Sequence, residues 1–217
     1  MIKNITLPVF IFCALGLLAC NKPANSIEPS DISTKQNHSE KVAKLNTKDQ
    51  AIVNEYNQAT DLITTGDLEG FQKQIKGLIP KIKSISDDKQ RNKILMNIYT
   101  QLKMNQEALD LNEQLLKNNP SYDKQEFQCF LLKRLDKNEG LPQCYETAAK
   151  LIKIELDKPE IKNSPEYPYS EWSYYFFMYQ AGHHEYKDKM TKLIKSTTDP
   201  KIKSDLQTAF NEEVLSK

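Results

Sequence analysis

From residue 47 onward, apolar positions recur every three or four residues with polar ones between them, the period of one face of a helix. Ile52, Tyr56, Ala59 and Ile63 form one such stripe, and Leu68, Phe71, Ile75, Leu78 and Ile82 form the next. The cleanest is Leu141, Tyr145, Ala148, Ala149, Ile152 and Leu156, at offsets 0, 4, 7, 8, 11 and 15. A strand would need a period of two, and no run sustains it. The pattern predicts amphipathic helices throughout, each burying one face.

The helices are punctuated at regular intervals. Pro80, Pro120, Pro159 and Pro200 recur at steps of 40, 39 and 41 residues. Between them fall Gly66, Asn105, Gly140 and Gly182, residue types able to take the left-handed conformation that ends a helix. Each cycle therefore reads as a helix, a stop, a second helix and a proline-marked break, the signature of stacked helical hairpins. Start signals agree: Thr47 with Gln50 predicts a capping box, and Asp199 before Pro200 predicts a capped helix start. The segment with Ile202, Leu206, Ala209, Phe210 and Val214 is placed as the cap of the array.

The second cycle carries a family resemblance. "ILMNIYTQLKMNQEALDLNEQLLKNNP", Ile94 to Pro120, resembles a tetratricopeptide (TPR) repeat, with Leu95, Tyr99, Ala108, Leu115 and Pro120 near the consensus positions. Trp172 to Pro200 keeps the interval between that repeat's leading tryptophan and closing proline, with Asp188 where the small residue would stand. The resemblance covers Thr47 to Pro200 at the level of hairpins and implies an all-α solenoid: about four stacked antiparallel helix hairpins, TPR-like, with a C-terminal capping helix. The beat near 40 is longer than the usual 34 of this repeat.

A second resemblance lies at the start of the chain. Lys3 precedes a mostly apolar run from Ile5 to Ala19, which contains Pro8 and is too short to span about 30 Å of hydrocarbon. Leu17, Leu18, Ala19 and Cys20 resemble the lipobox of bacterial lipoproteins. That implies a signal peptide over 1–19, cleavage before Cys20, and a diacylglyceryl group on Cys20 with a further acyl chain on its amino group. Two or more chains anchor stably where one binds marginally. Asn21 follows, without the Asp that favours inner-membrane retention in enteric-type lipoproteins, so the expected location is the outer membrane facing the periplasm. Residues 20–46 are polar, carry Pro23 and Pro29, and show no apolar period. They read as a flexible tether with a span of roughly 25–30 Å. Residues 47–217 then form the folded domain.

Composition narrows the function. Removing the leader removes Lys3 alone from 30 Lys plus Arg, leaving 29 against 29 Asp plus Glu, so nucleic acid is not an implied partner. Six glycines and no phosphate-loop or dinucleotide-binding pattern leave no cofactor implied. Cys129 and Cys144 remain as free thiols of the mature chain in an oxidising compartment, where pairing is the natural expectation. If the turn between them centres near Gly140, they are offset by about 7 Å along the helix axes. A bridge requires the first helix to end early, near Leu135.

The aromatic run "YPYSEWSYYFFMYQ", Tyr167 to Gln180, is the candidate binding element. Trp172, Tyr175, Phe176 and Tyr179 form a core stripe, whereas Tyr169, Tyr174, Phe177 and Met178 lie away from it. A helix aromatic on nearly every side is either buried on both flanks or offers a partner surface. Tyr169, Trp172, Tyr174, Phe177 and Met178 are the candidate partner-binding residues. His183 and His184 suggest polar capping rather than metal, because adjacent side chains diverge by about 100° on a helix. Lys187, Lys189, Lys192, Lys195, Lys201 and Lys203 read as a solvated basic end, set against only Asp188 and Asp199. No nucleophilic triad is present, and neighbouring pairs such as Asp87 and Asp88 solvate helix ends, so no enzymatic activity is expected.

Lipoproteins with TPR-like arrays resemble envelope scaffolds such as pilotins, outer-membrane assembly subunits and adaptors of peptidoglycan enzymes. The expected role is thus a lipid-anchored protein-binding module of the envelope. An immunity protein that neutralises a delivered toxin is the alternative, favoured by one concentrated aromatic plug.

Overall fold

The computed structural model describes residues 45–216; the expected leader, Cys20 and the expected tether up to residue 44 lie outside the described residues. Ten α-helices follow in order: α1 (Thr47–Thr64), α2 (Leu68–Lys83), α3 (Asp88–Gln101), α4 (Asn105–Asn118) and α5 (Tyr122–Arg134). Then come α6 (Leu141–Leu156), the short α7 (Pro159–Lys162), α8 (Tyr167–Gln180), α9 (Tyr186–Ser196) and α10 (Pro200–Phe210), which ends in a π turn, Asn211–Leu215. No strand occurs among the described residues. Each long helix packs on its neighbour in the chain, with α8 following α6 directly and α10 touching both α8 and α9.

Four turns close the pairs α1/α2, α3/α4, α5/α6 and α8/α9, and all four use one device. Gly66, Lys103, Asp136 and Gly182 take positive φ, at 81°, 54°, 56° and 103°. In each case the amide of the next residue bonds back to a carbonyl five residues earlier: Asp67 to Leu62, Met104 to Tyr99, Lys137 to Leu132 and His183 to Met178, at 2.8–3.1 Å. This is the Schellman closure, which satisfies carbonyls a helix end would otherwise leave bare. Gly66 and Gly182 stand where the sequence predicts stops. Asn105 and Gly140 do not serve. Asn105 is the first residue of α4, and Gly140, at φ −85°, closes a 3₁₀ turn from Asn138. Lys103 and Asp136 take their place without glycine's freedom, against a left-handed strain of about 1–2 kcal/mol offset by the closing bonds and hairpin packing.

Two further expectations are corrected. Pro80 does not break the chain but lies inside α2, which continues to Lys83. Ile82 and Ile85 beyond it are 0% and 1% exposed, and burying each isoleucine favours folding by about 1.5–3 kcal/mol, enough to offset the bond that proline cannot donate. The cap of α1 is Asn46, not Thr47. Its side chain accepts from the Asp49 amide, Thr47 is already helical, and Gln50 bonds forward to Asn54. The domain accordingly begins before Thr47, with Leu45 packed against the first core. Asp199 caps α10 as predicted, accepting from the amides of Lys201 and Ile202 at 2.9 Å.

Three buried clusters fill the interior. The first runs through α1–α4 and reaches Leu131 on α5, and it is mostly aliphatic. The second joins Trp172 to Met190, Ile194, Leu206, Phe210 and Val214. The third joins Ala148, Ala149, Ile152 and Leu156 of α6 to Phe177 of α8. Phe176 packs against both of the latter.

Candidate partner-binding face

Cys129 and Cys144 stand at disulfide distance, with Cα atoms 5.7 Å apart. α5 ends at Arg134 with Leu135 as its cap, the early ending that levels the two cysteines. Both are buried, and they lie between the first cluster, which reaches α5, and the third, which starts on α6. Gln125, one turn before Cys129, donates to the Cys144 sulfur at 3.2 Å.

Every residue of α8 is buried or half-buried. One flank faces α9 and α10, and the other faces α6. The predicted stripe packs as expected: Tyr175, Phe176 and Tyr179 surround Trp172 in the second cluster, and Trp172 stacks on Phe176 at 5.1 Å. Two of the five candidate contact residues belong to the core instead. Trp172 is buried there, and Phe177, 1% exposed, fills the third cluster and stacks on Tyr145 at 6.3 Å. Their positions follow from α8 being wedged between two layers, so faces that differ in sequence are both covered. Tyr169, Tyr174 and Met178 are half-buried. The Tyr169 hydroxyl donates to Asp205 of α10 at 2.6 Å, which ties the cap to α8.

A group of half-buried tyrosines lies at the α8/α9 edge. Tyr174, Tyr175 and Tyr186 touch one another with ring centroids 5.7–5.8 Å apart. Their hydroxyls are engaged: Tyr174 with Tyr186 at 3.3 Å, and Tyr175 donating to Glu171 at 2.6 Å. Burial first, and then the bond to Glu171, push the Tyr175 phenol up, so it stays protonated. Lys189 lies one turn into α9 with its ammonium 3.7 Å from the Tyr186 ring centroid and 5.9 Å from that of Tyr175. At the other end Lys153 pairs with Asp157 at 3.0 Å.

His183 sits in the α8/α9 turn, its Nε2 3.5 Å from Glu146 of α6, and His184 meets the Tyr179 ring edge-on. Among the described residues no group of three or more His, Cys, Asp or Glu side chains is placed to hold a metal ion. The basic end is less one-sided than its sequence suggests, because Lys201 is 3.8 Å from Asp205. No helix among the described residues is long and apolar enough to cross a membrane.

Two carboxylates that the sequence reading passed over have unusual surroundings. Asp49 is 2% exposed, accepts from the Ser86 amide and hydroxyl and from Asn46, and so joins the start of α1 to the α2/α3 loop. The Ser86 hydroxyl leads in holding its carboxyl below the ordinary range. Glu126 of α5 is exposed to solvent, yet protein crowds its carboxyl, and this desolvation, with repulsion from Asp123 and Glu213, pushes it up to about 7. The i, i+3 spacing of Asp123 and Glu126 is visible in the sequence; the approach of Glu213 from the C-terminal turn is not. No family model, curated protein or solved structure matches the chain.

Proposed function

We propose that this protein is a lipid-anchored, periplasm-facing binding module whose TPR-like hairpins hold a protein partner of the cell envelope. The observation that carries the reading is the half-exposed tyrosine group Tyr174, Tyr175 and Tyr186 at the α8/α9 edge. Tyrosine rings held rigidly by their neighbours contribute contact area with little side-chain entropy left to lose, which is why they dominate interface hot spots. The reading takes the helix pairs, closed by four like turns, as a TPR-like stack, an architecture whose concave side suits extended partners. Cys20 supplies the anchor in this reading, and residues 21–44 the reach.

The test is in-cell crosslinking from a photoreactive residue at Tyr174, followed by mass spectrometry. Recovery of resident envelope subunits supports the proposal. The mutual contact of Tyr174, Tyr175 and Tyr186 in one group favours a second reading, an immunity protein. A secreted hydrolase captured one-to-one would establish that reading and overturn the scaffold.

A further inference from the structure

We infer that the tyrosine group recognises a cationic side chain of the partner, a lysine or arginine, on the ring faces that Lys189 now covers. The inference rests on the partner-binding reading and gives that site its chemistry. Because the three hydroxyls are engaged with one another and with Glu171, a ligand meets ring faces rather than free phenol groups. Ring faces carry the negative end of the aromatic quadrupole and attract cations. Glu171, bonded to Tyr175, adds a carboxylate at the same group. Lys189, three residues after Tyr186 on the same helix, already supplies such a contact: its ammonium lies over Tyr186 and near Tyr175, while the residue itself is exposed on a flexible stem. A side chain so placed is displaced at small cost. It acts as an internal competitor that keeps the rings covered until a partner's cation arrives.

The test uses the full chain with labelled tyrosine rings, titrated with tetramethylammonium and, in parallel, with the similarly shaped but neutral tert-butanol. In Lys189→Met, tetramethylammonium should shift the Tyr186 and Tyr175 ring signals saturably, and tert-butanol should not. Wild type should need roughly 2- to 5-fold more cation, the competition expected of one exposed cation–π contact. Tyr186→Phe should keep the response, because the ring face and not the hydroxyl is read, and Tyr186→Leu should lose it. Equal shifts from the alcohol, no shift in Lys189→Met, or loss in Tyr186→Phe would each overturn the inference. The crosslinking experiment judges the partner reading separately. Cation binding without a captured protein would remove the partner and leave the site's selectivity standing.

Discussion

The first four helices bury Ile75, Ile82, Ile94, Ile98 and Leu109 against one another, whereas α6–α10 bury Phe177, Trp172 and Phe210 with Met190 and alanines between. The backbone device is the same in both halves, a pair of helices closed by a Schellman turn. The filling differs. Aliphatic side chains interdigitate along the stripe of each helix and make one continuous core across α1–α5. Large rings fill space in bigger units, and the C-terminal half separates into two clusters that share only Phe176 among the residues packed against both. At the boundary between the halves stands the Cys129–Cys144 pair, tying α5 to α6 where the aliphatic core ends. The lesson is that a repeated turn does not require a repeated core, provided something bridges the change of filling.

Truncating each core gives the largest effects. Phe177→Ala should cost about 3–5 kcal/mol and Ile98→Ala about 2–5 kcal/mol, read from denaturant unfolding. Trp172 is the single tryptophan, so its fluorescence follows the C-terminal half alone, while far-ultraviolet circular dichroism follows all helices. With the cysteines bridged, both probes should shift together in Ile98→Ala. Independent transitions there would mean the halves are not one cooperative unit.

Reduction comes next. Opening the loop of 15 residues should lower stability by about 3 kcal/mol in the chain-entropy account and uncouple the two probes, so that Ile98→Ala moves the dichroism but not the Trp172 signal. Coincident midpoints after reduction would place the coupling in the apolar contacts instead.

Smaller effects distinguish the halves by pH. Asp49 is held below the ordinary carboxyl range, so its contribution is present above about pH 4 and is lost as pH falls through its folded value. Asp49→Asn should remove that loss on acidification, at the cost of lower stability near neutrality. Glu126 has the opposite sign. Its folded value, about 7, lies above that of the unfolded chain, so protonation favours the fold, and stability falls as pH rises from about 4 through 7. The smallest expected change is a modest rise in Tm at pH 8 for Glu126→Gln, together with a flatter profile between pH 4 and 7. A Tm that drops at pH 8 would show that the charged carboxylate has a favourable partner.

The helices were legible because their information is local. A stripe such as Leu141, Tyr145, Ala148, Ala149, Ile152 and Leu156 can bury one side only as a helix, and Asp199 before Pro200 has few alternatives to a capped start. Turn chemistry was half legible. Gly66 and Gly182 announce positive φ by their residue type, but Lys103 and Asp136 adopt it because the hairpin on either side holds them there. Pro80 misled for the same reason, since the burial of Ile82 decides whether a helix continues past it. The composition of α8 showed that both flanks need cover or a partner, yet it could not say which rings would be covered. That depended on α6 lying along one side and α9 with α10 along the other, contacts that no stripe within α8 records. What the sequence determined by itself was the helices and their amphipathic stripes; the cysteine pair it offered as an expectation that depended on where α5 ends. Only the tertiary structure decided that Phe177 belongs to a core, that Tyr174 and Tyr186 meet at an edge, and that the charge of Glu213 acts on Glu126, because each needs chain segments whose approach no local period records.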